Sequence, residues 1–402
     1  MIGDGWDDVP AVRPQQDADD LDIPAGTRRV AVVTGTRAEF GLLRPVMHAI
    51  ARRKELSLMV IAAGSHLVSP ALTFHDVKRD FAIADIVPMQ IAGRTGRLED
   101  VESLARGIGR FGRSFAKLRP DWVLTLGDRI EAFAAASAAS VGGFALAHVH
   151  GGDRAEGVAD EAMRHAITKL AHLHFPATPT SRDRIIRMGE DPARVHCVGS
   201  PAMDELATIA PLNDEAFVQF GAPTIIFLLH PTGQPDEIEE ATATAILDTL
   251  RAQPAERLLI MEPNLDPGRD GIMRAIRAAG LPSHSNIDRS TWIALLKRLA
   301  VTQPARGVLV GNSSAGLIEA AAIRLPVVDI GLRQRGRERC ENVTHIDHVT
   351  SESLVRAMAQ SRSTPASYQH PYGDGGTSER IAHLLVAINP RDALMLRKQN
   401  MY

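Results

Sequence analysis

Three stretches of this sequence concentrate side chains able to move protons or hold an anion. GDRIE (127–131) follows an apolar run and offers two carboxylates, Asp128 and Glu131. HVHGGDRAEGVADEAMRHAITK (148–169) crowds His148, His150, Asp153, Glu156, Asp160, Glu161 and His165 around a Gly-Gly turn. Carboxylates and imidazoles gathered this way are the usual equipment of general acid–base catalysis. VGNSSAGLIEA (310–320) is of another kind. There Asn312, Ser313, Ser314 and Gly316 precede or open a helix. Hydroxyls, free backbone N–H groups and a helix N-terminus cradle a diphosphate without a metal. Glu319, one to two turns into that helix, is placed to accept ribose hydroxyls.

Further groups belong to the same inventory. GTRAEFGLL (35–43) sets Gly35 and Thr36 at a strand-to-helix turn, with Arg37 as a cation able to fork a phosphate. His230 ends TIIFLLHP (224–231), and Pro231 fixes the turn after it. DIGLRQRGRERCENV (329–343) carries Arg333, Arg335, Arg337 and Arg339 around Gly336, a loop suited to a departing pyrophosphate. Plainer readings compete. Thr36 caps a helix and Arg37 pairs with Glu39. Asp128 is an N-cap with Glu131 completing a capping box. His230 is a core histidine, and the arginine loop is simply solvated. His148 with His150, and His172 with His174, have the spacing of strand ligands for zinc or manganese, but no third and fourth ligands stand out, so no metal is expected.

The elements that must position these groups read as a repeating series. Short apolar runs at 29–34, 57–63, 121–126, 144–149 and 195–198 alternate with helical stretches at 41–53, 98–118, 129–140 and 159–171. After 211–223 the series restarts, with strands near 224–229, 257–261, 307–310 and 326–330, and helices near 236–252, 290–300 and 315–324. Asp236 reads as the N-cap of the first of these. Continuous apolar strands between helices predict parallel sheets covered on both faces. The expected fold is therefore α/β: two doubly wound Rossmann-like lobes, with ligands outside the carboxyl ends of the strands in an interlobe cleft. The lobes are drawn at 28–210 and 211–402, with the last helix a candidate to pack back on the first lobe. Residues 1–27 read as a disordered acidic extension.

Composition excludes several classes. The 402 residues are 45% hydrophobic and 23% charged, with a net charge of −3, so there is no basic footprint for nucleic acid. Aromatics make up 4%, too few for an aromatic-lined acceptor groove. Cys197 and Cys340 stand far apart, without the spacing of a thiolate metal site. The start lacks a signal-peptide pattern and no apolar run approaches the roughly 18 residues of a membrane helix. The expectation is a cytoplasmic protein.

Together, GTRAEFGLL, GDR, HVHGGD with ADEAMRHAITKLAHLHF, MGEDPARVHCVGSP, GNSSAGLIEA and RQRGR resemble the hydrolysing UDP-N-acetylglucosamine 2-epimerases, from about residue 28 to 385. The non-hydrolysing branch has GTRPE after its first strand and an SGG-type turn in the second lobe; GTRAEFGLL and NSSAG resemble the hydrolysing one. The resemblance implies a GT-B type fold, a homodimer or homotetramer, and a UDP-sugar substrate. It implies anti elimination of UDP, addition of water at C1 and inversion at C2, with no cofactor, since UDP is part of substrate and product. Arg37, Asp128, Asp160, His230, Ser313, Ser314 and Glu319 fall on its motif positions. Asp128 and Asp160 are then the first acid/base candidates, Asp153 and His150 the second, and His230 and Arg37 serve the leaving diphosphate. Members often have Glu at the position of Asp153, EGG where this chain has His150-Gly151-Gly152, and Asp where it has Leu332. These departures bear on the sugar, either N-acetylglucosamine or a 2,4-diacetamido-trideoxy relative. The alternatives are a non-hydrolysing epimerase and a GT-B glycosyltransferase.

Overall fold

A computed structural model describes residues 26–401 except 70, 157–159, 265, 286, 303–305, 364 and 366. All but the last two residues of the acidic extension expected over 1–27 lie outside the described residues. Along the chain run β1 (Arg28–Thr34), α1 (Arg37–Ala51), β2 (Leu56–Ala63), α2 (Phe74–Asp80), β3 (Ile83–Val87), α3 (Arg97–Leu118) and β4 (Trp122–Leu126). Next come α4 (Ile130–Val141), β5 (Ala145–Val149), α5 (Asp160–Leu170), β6 (Leu173–Phe175), α6 (Pro179–Arg187) and α7 (Asp214–Gln219). β7 (Ile225–Leu228), α8 (Asp236–Arg251), β8 (Leu258–Met261), α9 (Arg269–Ala279), β9 (Ser283–His284) and α10 (Arg289–Ala300) follow. The series ends with β10 (Val308–Gly311), α11 (Glu319–Ile323), β11 (Val327–Ile330), β12 (Val343–Ile346), α12 (Ser351–Ser361), α13 (Thr377–Ala387) and α14 (Ala393–Leu396).

Two parallel sheets result, ordered β3-β2-β1-β4-β5-β6 and β12-β11-β10-β7-β8-β9. In the first, strand order reverses between β1 and β4, the switch point at which such sheets open a crevice. Period-two alternation explains why both faces are covered. Val30 and Val32 of β1 enter one core with Leu43 and Leu385, while Ala31 and Val33 enter the other with Phe111 and Ala135. In β7, Ile225 and Phe227 face one core and Ile226 and Leu228 the opposite one. The small side chains of α4 (Ala132, Ala134, Ala135, Ala136, Ala138 and Ala139) are all buried and bring α3 close.

Contacts group the chain into two units. One comprises residues up to Asp153, Ala162–Asp204 and the chain from Gly373; the other comprises Arg154–Glu161 and Glu205–Tyr372. The boundary at Asp204 and Glu205 lies shortly before the linker expected at 211–223, and the chain from Gly373 is grouped with the first unit. The physical cause lies in the last segment, where α13 buries Ile381, Ala382 and Leu385 in the core beside α1. Asp204 carboxylate oxygens accept the Thr377 and Ser378 amides at 2.9 and 2.6 Å, capping that helix from a distant part of the chain.

Some expected elements differ. Residues 195–198 form no strand; Val195 makes an isolated bridge to His174. The helix expected at 315–324 is a 3₁₀ turn (Ser314–Gly316) followed by α11, so Glu319 opens its helix instead of lying within it. Asp236 is the first residue of α8 and Pro235 its N-cap. The amides of Thr232 and Gln234 before the helix are taken by Glu239.

Candidate functional site

In the first unit, Thr36 caps α1 and Glu39 completes a reciprocal capping box. Glu39 Oε2 accepts the Gly35 and Thr36 amides at 2.8 and 3.3 Å. The Gly35 and Thr36 amides are thus committed within the chain. Gly35 is required for another reason: a Cβ there would lie 2.5 Å from Glu131 Cβ. Arg37 is the half-buried first residue of α1.

GDRIE does not form the same motif. Arg129 is the N-cap of α4, without a side-chain cap bond. Asp128 instead pairs with Nη2 of the buried Arg164 on α5. Glu131 is buried and lies across Gly35 and Gly64, accepting Gln90 Nε2 at 2.8 Å and the Ser65 amide at 3.4 Å. Sequence reasoning missed Arg164, although its position one turn after Asp160 on a helix was the available signal.

Burial, reinforced by the Glu131 charge, pushes Glu39 from its ordinary range up to about 8 against the pull of its amide bonds. The folded protein therefore holds a proton that the unfolded chain releases above about pH 4.5. Stability accordingly falls as pH rises from there to about 8, by up to about 1.4 kcal/mol per unit. Glu39→Gln, which keeps the acceptor and removes the titration, is expected to flatten the decline of Tm between pH 6 and 9. Parallel melting profiles for the two proteins would refute the assignment.

HVHGGD folds into a buried scaffold. His148 Nε2 donates to the Gly127 carbonyl at 2.7 Å, and Nδ1 accepts Thr168 Oγ1 at 3.2 Å, so the ring braces the turn that presents Asp128. Burial holds His148 down at about 3, hence neutral. Gly151 leaves room for that ring: a Cβ would stand 2.9 Å from His148 Nδ1. His150 adopts φ 62° and bonds Asp153 Oδ2 through Nδ1 (2.8 Å) and Ser200 Oγ through Nε2 (2.9 Å). Asp153 Oδ1 accepts Ser181 Oγ at 2.8 Å. This is the Asp-His-Ser order of a nucleophilic triad, but Ser200 is fully buried, so the chain of bonds ties the loop after β5 to the Ser200 turn and to the first turn of α6. His172 accepts the Leu146 amide, and His174 bonds Glu190. Among the described residues, no three His, Cys, Asp or Glu side chains group to hold an ion.

In the second unit, His230 is half-buried at the end of β7, and its Nδ1 accepts the Asn264 amide at 3.1 Å. In the neutral ring the proton then sits on Nε2, leaving that atom as a donor. Asn312 is buried. Its Oδ1 accepts the His230 amide at 2.7 Å and its Nδ2 donates to the His230 carbonyl at 2.8 Å. Ser313 caps the 3₁₀ turn that Ser314 opens, and both are half-buried. Gly316 packs on Val327, where a Cβ would approach to 3.1 Å. Glu319 pairs with Arg289 Nη1 at 3.1 Å.

Arg333 reaches the Asn312 carbonyl (3.3 Å) and Asp266 (3.8 Å), and Arg337 is half-buried in the same loop. Arg339 is not solvated either; Nη2 pairs with buried Asp329 at 2.9 Å. Glu156 bonds Arg335 through its amide (3.1 Å) and its carboxylate (3.4 Å). Asp160 opens α5 within Arg154–Glu161, the segment grouped with this unit.

The UDP-N-acetylglucosamine 2-epimerase family model matches residues 48–386. The hydrolysing UDP-N,N'-diacetylbacillosamine 2-epimerase of Legionella pneumophila is 35% identical over 93% of this chain and 100% of its own. The UDP-N-acetylglucosamine 2-epimerase of Neisseria meningitidis serogroup B is 28% identical over 89% of this chain and 95% of its own. A crystal structure of a Neisseria meningitidis UDP-GlcNAc 2-epimerase bound to UDP-GlcNAc shares the fold, with a TM-score of 0.74 at 18% identity, covering 89% of this chain and 99% of that one. The family match over most of the chain and the 35% identity across nearly all of it show that this protein belongs to the UDP-N-acetylglucosamine 2-epimerase family.

Proposed function

We propose that this protein is a hydrolysing 2-epimerase that converts UDP-N,N'-diacetylbacillosamine, a 2,4-diacetamido-trideoxy sugar nucleotide, into UDP and the free C2-epimer. One observation carries the choice of sugar. The relative with that activity in its name is 35% identical over its whole length, against 28% for the Neisseria relative named for UDP-N-acetylglucosamine.

In this reading a carboxylate of the pair Asp128 and Asp160 removes the C2 proton. The electron pair forms the C1=C2 bond as the C1–O bond to the diphosphate breaks. His230 Nε2–H, Arg37, Arg333 and Arg337 take the charge of the departing oxygen, while Ser313, Ser314 and Gly316 line the diphosphate turn and Glu319 meets the ribose. Water then gives its oxygen to C1, and a proton returns to C2 from the opposite face through the second carboxylate. The sum is sugar nucleotide plus water to UDP plus epimerised sugar, with no cofactor consumed. His150 and Asp153 brace the HVHGGD turn, and Glu131 braces the turns at Gly35 and Gly64. We further propose a homodimer or homotetramer, read by light scattering, and a cytoplasmic location, in keeping with the free thiols Cys197 and Cys340. Among the described residues, no helix is long and apolar enough to cross a membrane.

The test is incubation with each UDP-sugar in D₂O without an acceptor, followed by NMR. The expected result is UDP release with a C2-inverted free sugar carrying deuterium at C2, and a kcat/KM at least about tenfold higher for the diacetamido substrate. C2 epimers still joined to UDP would point to the non-hydrolysing reaction. Turnover only with an acceptor would make it a transferase. A preference for UDP-N-acetylglucosamine would overturn the sugar assignment alone.

A further inference from the structure

We propose that Asn312 is a positioning residue that sets His230 and the arginine loop in register on the end of β10, and that it does not bind the diphosphate itself. The proposal rests on the reading that His230 serves the leaving group.

The two ends of the Asn312 amide match the two polar groups of the His230 backbone, acceptor to N–H at 2.7 Å and donor to C=O at 2.8 Å. A carboxamide supplies the acceptor and the donor on two separate atoms of one rigid plane. Asn312 is 2% exposed, so these bonds are shielded from water and the side chain has little surface left for a ligand. Its main chain is engaged as fully. The Asn312 amide donates to Leu228 O at 3.2 Å, holding it to β7, and its carbonyl receives Gln334 Nε2 at 2.9 Å and Arg333 Nη1 at 3.3 Å. One residue thus fastens the strand end that carries His230 through its side chain and the loop that carries Arg333 and Arg337 through its carbonyl. His230 itself is held at Nδ1 by the Asn264 amide, which in the neutral ring leaves the proton on Nε2. Release of the backbone hook lets the ring leave that amide and lose its set tautomer. Misplacement on the scale of an ångström is enough to slow a positioned step by about a hundredfold.

The experiment is a double-mutant cycle of Asn312→Ala and His230→Ala, reading kcat, KM and UDP inhibition. Asn312→Ala is expected to lower kcat by about 10- to 100-fold, with KM and the UDP inhibition constant within about threefold of wild type. In the His230→Ala background the same change is expected to alter kcat by less than about threefold, because the residue it positions is gone. Equal losses in both backgrounds, or a loss confined to KM and UDP affinity, overturn the proposal. Undiminished turnover in His230→Ala alone instead removes the role given to His230, and this proposal with it. Should the alanine variant fail to fold, Asn312→Asp carries the same cycle. It keeps the acceptor for the His230 amide but sets an oxygen against the His230 carbonyl, and the same non-additivity is expected.

Discussion

Asp128→Asn is expected to lower kcat by about 10²–10⁴-fold while UDP binds within about threefold of wild type, as measured by turnover and calorimetry. The amide matches the carboxylate in shape and keeps an oxygen for Arg164. What it loses is the charge and the ability to take a proton. Arg164 is buried, so its partner also bears on folding, and neutralising one member of a buried ion pair costs stability. A fall in Tm is therefore expected beside the loss of turnover. The two effects separate in the UDP titration, because a protein that still binds UDP is folded. Near-normal turnover in Asp128→Asn would remove this residue from the chemistry.

Gly311→Ala is expected to destabilise the second unit by about 3 kcal/mol or more and to abolish turnover. Gly311 holds φ 151°, in a region essentially closed to residues with a side chain. Its Cβ would fall on the carbonyl of Leu228, its neighbour in the pairing of β10 with β7. The Cβ would meet main-chain atoms, so no rotamer change relieves the contact. Parting these strand ends also breaks the Asn312 amide bond to Leu228 and moves the anchor of His230. A urea midpoint equal to that of wild type would show that the strand ends yield without cost.

The central strands were legible because burial on both faces leaves a continuous apolar run, as in β1, β4, β5, β7 and β10. The edges were not. β3 (IADIV) and β12 (VTHI) are partly exposed, and their mixed patterns resemble loops. At the site, position was readable and partnership was not. TRAE (36–39) and DRIE (128–131) have the same capping spacing, yet only the first is a capping box, because a guanidinium from a later helix claims Asp128. His150 and Asp153 read from the sequence as acid/base candidates. Ser181 and Ser200, which engage them, lie too far along the chain for a motif to show.

The route of the chain between the two units has a consequence for modularity. The first unit is assembled from three separate stretches, and its α13 covers apolar surface that a fragment ending near residue 204 would leave bare. Neither unit is therefore an exchangeable cassette. A chimera between relatives that joins one front half to another back half inherits a mismatched C-terminal helix and a foreign Arg154–Glu161 segment carrying Asp160. Recombination that preserves function has to move all of the stretches of a unit together, so a single crossover cannot deliver either unit whole.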